Sequence, residues 1–495
     1  MSLIAGVDSS TQSTKVEVRD AASGEIVSTG SAPHSTVTAP VCEQDPESWW
    51  SAFEAAWAAA GSPEVDAMSV GGQQHGMVAV DREGVAVHRA KLWNDTESST
   101  DSDALIQRLG GPTAWAEAVG SVPVAAFTIT KLAWLRRTRP EAWHDVAAVM
   151  LPHDYLTARL TGALVPGQPL HDPRRDGRRP TISTDRGDAS GTGYWSPASG
   201  EYRWDLLDLV DPERDWQQLV PEVLGPLASA GVWVGSSAPA LVGPGTGDNM
   251  AGALGVGLRP GDSVISIGTS GTVYAISDFP TADASGMVAG FADATGRFLP
   301  LVCTSNASKV LDAIRRLLGV DHAEFDRLAL AADPGGPVML PYLDGERTPN
   351  RPDATGVISR IRSDVSREQL ARSAVDGVAC GLLDGFDALH ALTGRSALME
   401  LMENNTPGSR IVLTGGGARS TSLQRVIAGL VDQPVVVSNV AEAVATGAAV
   451  QAASVFEQVD SAVIQQRWGL GSGSPVEPSP PDEMLRQRYA ALRDQ

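Results

Sequence analysis

The sequence predicts an α/β protein of two large domains, divided near its middle. Three observations carry this expectation. The chain has 495 residues, more than a single hydrophobic core organises. A strand, a hydroxyl-rich turn and a second strand at Leu3–Val18 recur at Val264–Ile276, as though each half opened with the same hairpin. Between them, Gly243 to Gly257 sets one carboxylate, Asp248, between a glycine-rich turn and a run of very small residues. The division falls after residue 242, giving domains 1–242 and 243–495.

Composition narrows the function classes. A hydrophobic fraction of 42% suits globular cores, and a net charge of −21 argues against nucleic acid or an anionic membrane as a partner. A small anion such as ATP remains compatible, because backbone amides, one lysine and a metal suffice to hold it. The three cysteines, Cys42, Cys303 and Cys380, are far apart with no metal-ligand spacing, and read as reduced thiols. The chain opens straight into an apolar strand, and no apolar run approaches the roughly 18 residues of a membrane span. The expectation is a soluble, cytoplasmic protein, and a homodimer is left open.

The elements follow in order. Leu3–Val7 is a short apolar strand; Asp8 to Lys15 forms a turn of hydroxyls and amides beside one lysine, and Val16-Glu17-Val18 alternates as a strand. Asp8, at the strand's end, is placed to hold Mg²⁺ through hard carboxylate oxygens. Asp45 and Pro46 open a helix as N-cap and first helical residue, with Trp49 or Trp50, Phe53 and Trp57 at helical spacing as core. Strands at Val65–Val70 and Met77–Val80 flank a glycine-bounded loop carrying Gln74 and His75, where two polar side chains could read a sugar hydroxyl. Leu92-Trp93-Asn94-Asp95 adds an aromatic platform, an amide and a carboxylate. Met150 to Leu156 starts another helix. Val165 to Pro180, rich in proline and arginine (Arg174, Arg175, Arg178, Arg179), reads as an exposed insertion, and Thr181 to Thr192 as a polar, glycine-punctuated turn.

In the second half, Asp248 starts a helix over Asn249–Val256, where the helix dipole predicts an ionised carboxylate at neutral pH. The second hairpin turns at Gly268-Thr269-Ser270. Pro341 to Pro349 is a charged loop, and Gln369 to Leu392 a long amphipathic helix. Ile411 to Ser420 is strand, glycine-rich turn and helix, a turn that lets an adenosine or a phosphate lie against the backbone at Gly415 and Gly416. Ala443 to Ala453 is a small-residue helix expected to pack close behind that turn.

Taken together these motifs resemble the FGGY family of carbohydrate kinases, almost from end to end. Asp8 to Lys15 matches the family's first phosphate hairpin, Gly268 to Gly271 the second, Thr414 to Arg419 the adenosine loop, and Gly247-Asp248-Asn249 with Ala251-Gly252 the catalytic segment. Glu43 to Pro46 with Trp49-Trp50, Gln73 to Gly76, Leu92 to Asp95 and Leu340 to Pro349 look most like the members that phosphorylate xylulose. Ala126, Thr138 and Arg360 depart from the family's diagnostic patterns. The resemblance implies an α/β fold of two actin-like (ribonuclease H-like) domains with a catalytic cleft between them. It implies ATP-dependent phosphorylation of D-xylulose to D-xylulose 5-phosphate in D-xylose catabolism, the rivals being kinases of ribulose, gluconate or glycerol. Asp248 is then the base; Gln74, His75, Trp93, Asn94, Asp95 and Asn249 meet the sugar; Thr11, Lys15, Gly268, Thr269, Ser270, Gly415, Gly416 and Arg419 meet the nucleotide. Asp8 and Asp248 are the implied Mg²⁺ ligands. An actin-like chaperone would need a β-rich peptide-binding extension after Ala453, and a non-catalytic sugar or ATP sensor would be expected to lack the base.

Overall fold

The hairpin that opens the chain seeds the first of two similar sheets. Leu3–Ser9 and Ser13–Asp20 pair antiparallel, with Asp8 opposite Lys15 and the turn confined to Ser10–Gln12. Ile4, Val7, Val16 and Val18 are buried, as alternating strands with one or both faces covered require. Ile26–Pro33 extends the sheet on one side, while Ala67–Gly72 runs parallel to the first strand on the other, followed by Leu241–Val242 and Gly231–Val232. Thr246–Gly247 also pairs with the end of Ala67–Gly72, so this sheet takes a strand from beyond residue 242.

The second sheet repeats the pattern. Ser263–Ile267 and Gly271–Ala275 form an antiparallel hairpin, Phe298–Thr304 and Ala289–Ala292 extend it, and Ile411–Thr414 lies parallel to its first strand, followed by Val435–Ser438 and Gly473–Pro475. The two halves therefore share one topology, as expected of duplicated actin-like domains. The computed structural model describes residues 1–38, 40–170, 181–403, 409–480 and 482–495, with side chains throughout except in 394–403.

Helices cover both sheets. Pro46–Ala59 starts as the sequence predicts, Asp45 accepting from Glu47 N with Pro46 following, and buries Trp49, Phe53 and Trp57. Behind the second sheet Arg367–Glu403 encloses the predicted Gln369–Leu392 helix and packs its buried Ala371, Val375, Val378, Leu382 and Leu389 against strand residues such as Val273 and Val302.

The small-residue helix is a correction. Ala443–Glu457 does not lie behind the glycine turn at 415; it crosses Asp248–Gly255 and covers the first sheet. Glycine permits the approach. A Cβ on Gly255 would stand 1.9 Å from the Ala443 carbonyl oxygen, one on Gly447 1.7 Å from that of Ala251, and one on Gly6 1.9 Å from that of Ala445. The second half thus grips the first through backbone contact beneath the cleft.

Two more expectations meet the structure differently. Thr181 to Thr192 is not a solvated turn: Ser183–Asp185 is a buried strand, and Arg186–Ala189 a short helix capped by Asp185. The four arginines of the 165–180 insertion all fall within 171–180, outside the described residues. The three cysteines are free thiols, and among the described residues no helix is long and apolar enough to cross a membrane.

Candidate active site

Both sheets present the carboxyl ends of their parallel strands to one cleft, the place where open α/β sheets bind ligands. The first sheet delivers Asp8, at the end of Leu3–Ser9, and the loop after Gly72. The chain then passes through Thr246–Gly247 into the helix Asp248–Gly255. A Cβ on Gly247 would strike the Gln74 side chain at 2.6 Å, so Gln74 lies directly against the turn that leads to Asp248.

Asp248 is not the isolated, ionised carboxylate the sequence suggests. It keeps part of its surface open to the cleft yet is surrounded by protein, and burial together with the nearby charges of Asp8 and Asp188 pushes its pKa up to about 7. These opposing effects outweigh the helix N-terminus and the Asn249 amide that favour the charged form. A carboxyl poised near neutrality is suited to accept a hydroxyl proton.

On the sugar side, Asn249 Nδ2 donates to Gln74 Oε1 at 2.8 Å and to Asp248 Oδ1 at 3.0 Å, and Thr272 Oγ1 donates to Asn249 Oδ1 at 3.3 Å. The second sheet is thereby tied to Asp248 and to Gln74. His75 adopts φ +64° and is buried, its ring centroid 5.0 Å from that of Phe127 and 5.4 Å from that of Phe291. Burial and the charge of Arg347 push its pKa down to about 3, so the imidazole is neutral. Its Nδ1 lies 2.6 Å from the Gly191 carbonyl oxygen, which places the proton on Nδ1 and leaves Nε2 an acceptor. Gln73 Nε2, Gln74 Nε2 and Asn94 Oδ1 are buried without a protein partner, a donor and acceptor set suited to a polyhydroxyl ligand.

Trp93 Nε1 donates to Thr11 Oγ1 at 3.0 Å, and Thr11 Oγ1 donates to Gln73 Oε1 at 3.5 Å, so Thr11 stands with the sugar-side residues. Lys15 Nζ pairs with Glu442 at 2.5 Å; its ammonium is held by the protein itself. Asp95 is displaced from its expected role. It is wholly buried, accepts from Cys42 N at 2.8 Å, and shares Lys91 Nζ with Glu43 and Glu97 at 2.9, 2.9 and 2.7 Å. Burial would lower the Lys91 pKa, but Glu97, Asp95 and Glu43 outweigh it and hold it above the usual lysine value. Those three carboxylates have metal-ligand spacing; the Lys91 ammonium fills their centre, 3.9 Å over the Trp134 ring.

On the nucleotide side, the turn at Gly268-Thr269-Ser270 is open to the cleft, its Gly268 and Thr269 carbonyls taken by Ser308 N at 3.0 Å and Ala307 N at 3.2 Å. The neighbouring turn lies beside it, since Ser266 pairs with Thr414. Gly415 takes φ +86°, and a Cβ there would meet the Ile267 carbonyl oxygen at 2.6 Å. Gly416 and Arg419 are exposed at this edge. Two glycine turns side by side give a flat backbone surface for a nucleotide.

Sequence reasoning missed a group beneath Asp248. His153, Asp154, Asp185 and Asp188 are all buried, and Thr246 Oγ1 donates to Asp185 Oδ2 at 2.7 Å. The signal was Pro152-His153-Asp154 together with Asp185 and Asp188 three residues apart, which reads locally as two helix starts. A cavity of about 440 Å³ lies elsewhere, behind the helix Asp248–Gly255 against Leu227, Leu254 and Gln451.

Comparison with known proteins agrees with this arrangement. Residues 3–255 match the N-terminal domain of the FGGY family of carbohydrate kinases, and residues 263–455 its C-terminal domain. The chain belongs to the FGGY family of carbohydrate kinases. Among FGGY relatives, a xylulose kinase of Streptomyces coelicolor is 44% identical, over 99% of this chain and 95% of its own. The crystal structure of a xylulose kinase from Bifidobacterium adolescentis has a TM-score of 0.82 at 39% identity, covering 99% of both chains. A glycerol kinase of Plasmodium falciparum with ADP shares the fold, with a TM-score of 0.82 at 17% identity over 100% of this chain and 97% of its own. The FGGY assignment makes the protein a kinase, with ATP as the phosphoryl donor.

The residues at the base of the cleft fit a divalent cation. Burial pushes Asp8 up to about 6, and the charge of Asp8 helps to raise Asp248; two neighbouring carboxylates with hard oxygen donors suit a dication. Ser10 donates to Asp8 Oδ1, leaving Oδ2 for an ion. Asp8→Asn is expected to raise the Mg²⁺ concentration for half-maximal rate by roughly tenfold or more, and an unchanged Mg²⁺ titration would remove Asp8 from this role. The pH profile follows from the same charges. Because the pKa of Asp248 is raised, its carboxyl is protonated as pH falls below about 7, and if it is the base kcat/KM is expected to drop about tenfold per unit well below that point. Cation and proton compete for these carboxylates, so more Mg²⁺ is expected to move the limb to lower pH. A profile flat from pH 8 to the ordinary carboxylate range would contradict it.

Proposed function

We propose that the chain transfers the γ-phosphoryl group of ATP to the 5-hydroxyl of D-xylulose, giving D-xylulose 5-phosphate and ADP, as a cytoplasmic step in the use of D-xylose. The observation that carries this reading is the joining of Asp248 to Asn249 and Gln74 beside the neutral His75, facing two open glycine turns. Relatives 44% and 39% identical over almost the whole chain are xylulose kinases, which supports the same sugar here.

The chemistry needs positioning more than covalent help. Gln74 Nε2 offers a donor, and His75 Nε2 an acceptor, for hydroxyls of the sugar, while Trp93 and Asn94 border it. These contacts aim the terminal hydroxyl at Asp248, which accepts its proton as that oxygen bonds to the γ-phosphorus. The bond from the γ-phosphorus to the bridging oxygen breaks, and ADP leaves with the electron pair. Mg²⁺, when bound by Asp8 and Asp248, supplies charge neutralisation for the polyphosphate. The amides of Thr269, Gly415 and Gly416 are the donors this reading offers to the nucleotide, with Gly268, Ser270 and Arg419 at its edge; the Gly268 amide already donates to the Ser270 carbonyl at 2.9 Å. Closure of the two domains would exclude water as a competing acceptor. The test is product identity: with D-xylulose and ATP the phosphorus NMR spectrum should show a phosphomonoester coupled to the C5 protons, and a phosphate on another carbon would overturn the assignment.

A further inference from the structure

Beneath the catalytic turn lies a set of ionisable groups that the transfer itself does not use. His153, wholly buried in the first turn of the helix Pro152–Thr161, is hydrogen-bonded through Nδ1 to Asp188 Oδ2 at 2.7 Å, while its Nε2 lies 3.1 Å from Asp154 Oδ1 as an ion pair without hydrogen-bond geometry. Asp154 is fixed in turn, accepting from Leu151 N at 2.7 Å. Burial alone would discharge the imidazole, but Asp154, Asp188 and Asp185 outweigh it and push its pKa up to about 9. A buried charged cluster is weak evidence for stability, since its desolvation offsets its attraction. Its worth is better sought in geometry, because the charge-assisted hydrogen bond to Asp188 is directional.

The ring stands where three parts of the site meet. A Cβ on Gly72, at the entry to the Gln73–His75 loop, would lie 2.7 Å from His153 Cβ. One on Gly245, at φ +75° in the turn leading to Asp248, would lie 2.3 Å from His153 Cδ2. From Asp188 the chain runs to Gly191, whose carbonyl fixes the His75 ring, and from Asp185 a hydrogen bond reaches Thr246, two residues before the base. His153 therefore touches the segment before Gln74, the segment before Asp248 and the segment that orients His75.

We propose that His153, hydrogen-bonded to Asp188 and ion-paired with Asp154, is a positioning residue that fixes the separation of the sugar-holding Gln74–His75 loop from the base Asp248. A displacement of about 1 Å between reacting groups costs on the order of 10²-fold in rate, so loosening these contacts acts on turnover before it acts on nucleotide binding.

The test compares His153→Gln with the wild type, kcat being referred to active sites counted by nucleotide titration. The expected result is a fall in kcat of about 30- to 100-fold with KM for ATP within about twofold. Asp188→Asn should act in the same direction, and the double variant should cost no more than the worse single one, as members of one unit do. Leu389→Ala, a cavity in the buried face of the helix behind the second sheet, is the control that lowers Tm while keeping kcat. A folded His153→Gln enzyme within about threefold of wild-type kcat would overturn the proposal, as would an equal loss of kcat in the control. Should His153→Gln not fold, Asp188→Asn decides by the same two criteria. The proposal rests on the sugar-site reading above. The ratios are therefore taken on whichever sugar the wild type turns over best, so that a different preferred sugar refutes that reading and still leaves His153 to be judged.

Discussion

Asp248→Asn is expected to retain sugar and ATP binding while kcat falls by about 10²–10⁴-fold, the scale of a positioned general base. The amide keeps the shape of the carboxylate and can keep its contact with the Asn249 side chain, but it cannot take the hydroxyl proton. The same substitution relieves a buried charge that Asp8 and Asp188 disfavour, so its Tm should rise. Catalytic groups are commonly held at such a cost in stability. A variant that turns over near the wild-type rate would remove Asp248 as the base, and a lower Tm would contradict the electrostatic account of its environment.

His75→Ala should lower kcat/KM for D-xylulose by about 30- to 100-fold, the scale of one buried hydrogen bond whose partner is left unmade. KM for ATP should move by less than about twofold, since the glycine turns that face the nucleotide lie in the other domain. The variant should also narrow the gap between xylulose and its epimers, because an epimer keeps every hydroxyl and only moves one. His75 is suited to this discrimination: Phe127 and Phe291 hold its ring, and the Gly191 carbonyl sets its tautomer. Equal losses for all sugars would make His75 a packing residue instead.

How much of this could be read from the chain depends on how local each signal is. The two hairpins were legible because strand alternation and hydroxyl turns are written within about a dozen residues. The helix at Asp248 was legible for the same reason, its protonation was not: Asp8 and Asp188 approach it only through the fold. Ala443–Glu457 announced close packing by its small residues, but composition does not say against what, and its partners are Gly6 and Gly255 in distant parts of the chain. Asp95 shares a short stretch with Trp93 and Asn94, yet Lys91 four residues earlier claims it, a pairing that the i, i+4 spacing allows. His153 and Asp188 read as helix starts because the contact that joins them is tertiary.

The most direct test of the central claim is kcat/KM of the wild-type enzyme in a coupled ADP-release assay, with D-xylulose, ribulose, gluconate and glycerol as acceptors under saturating ATP and Mg²⁺. The partnerless polar atoms of Gln73, Gln74 and Asn94 are more than a three-carbon polyol would satisfy, and a site built to bond hydroxyls discriminates against a ligand that lacks them. The account predicts that D-xylulose gives the highest value, with the other three well behind. A higher value for ribulose, gluconate or glycerol would contradict the sugar assignment while leaving the kinase intact.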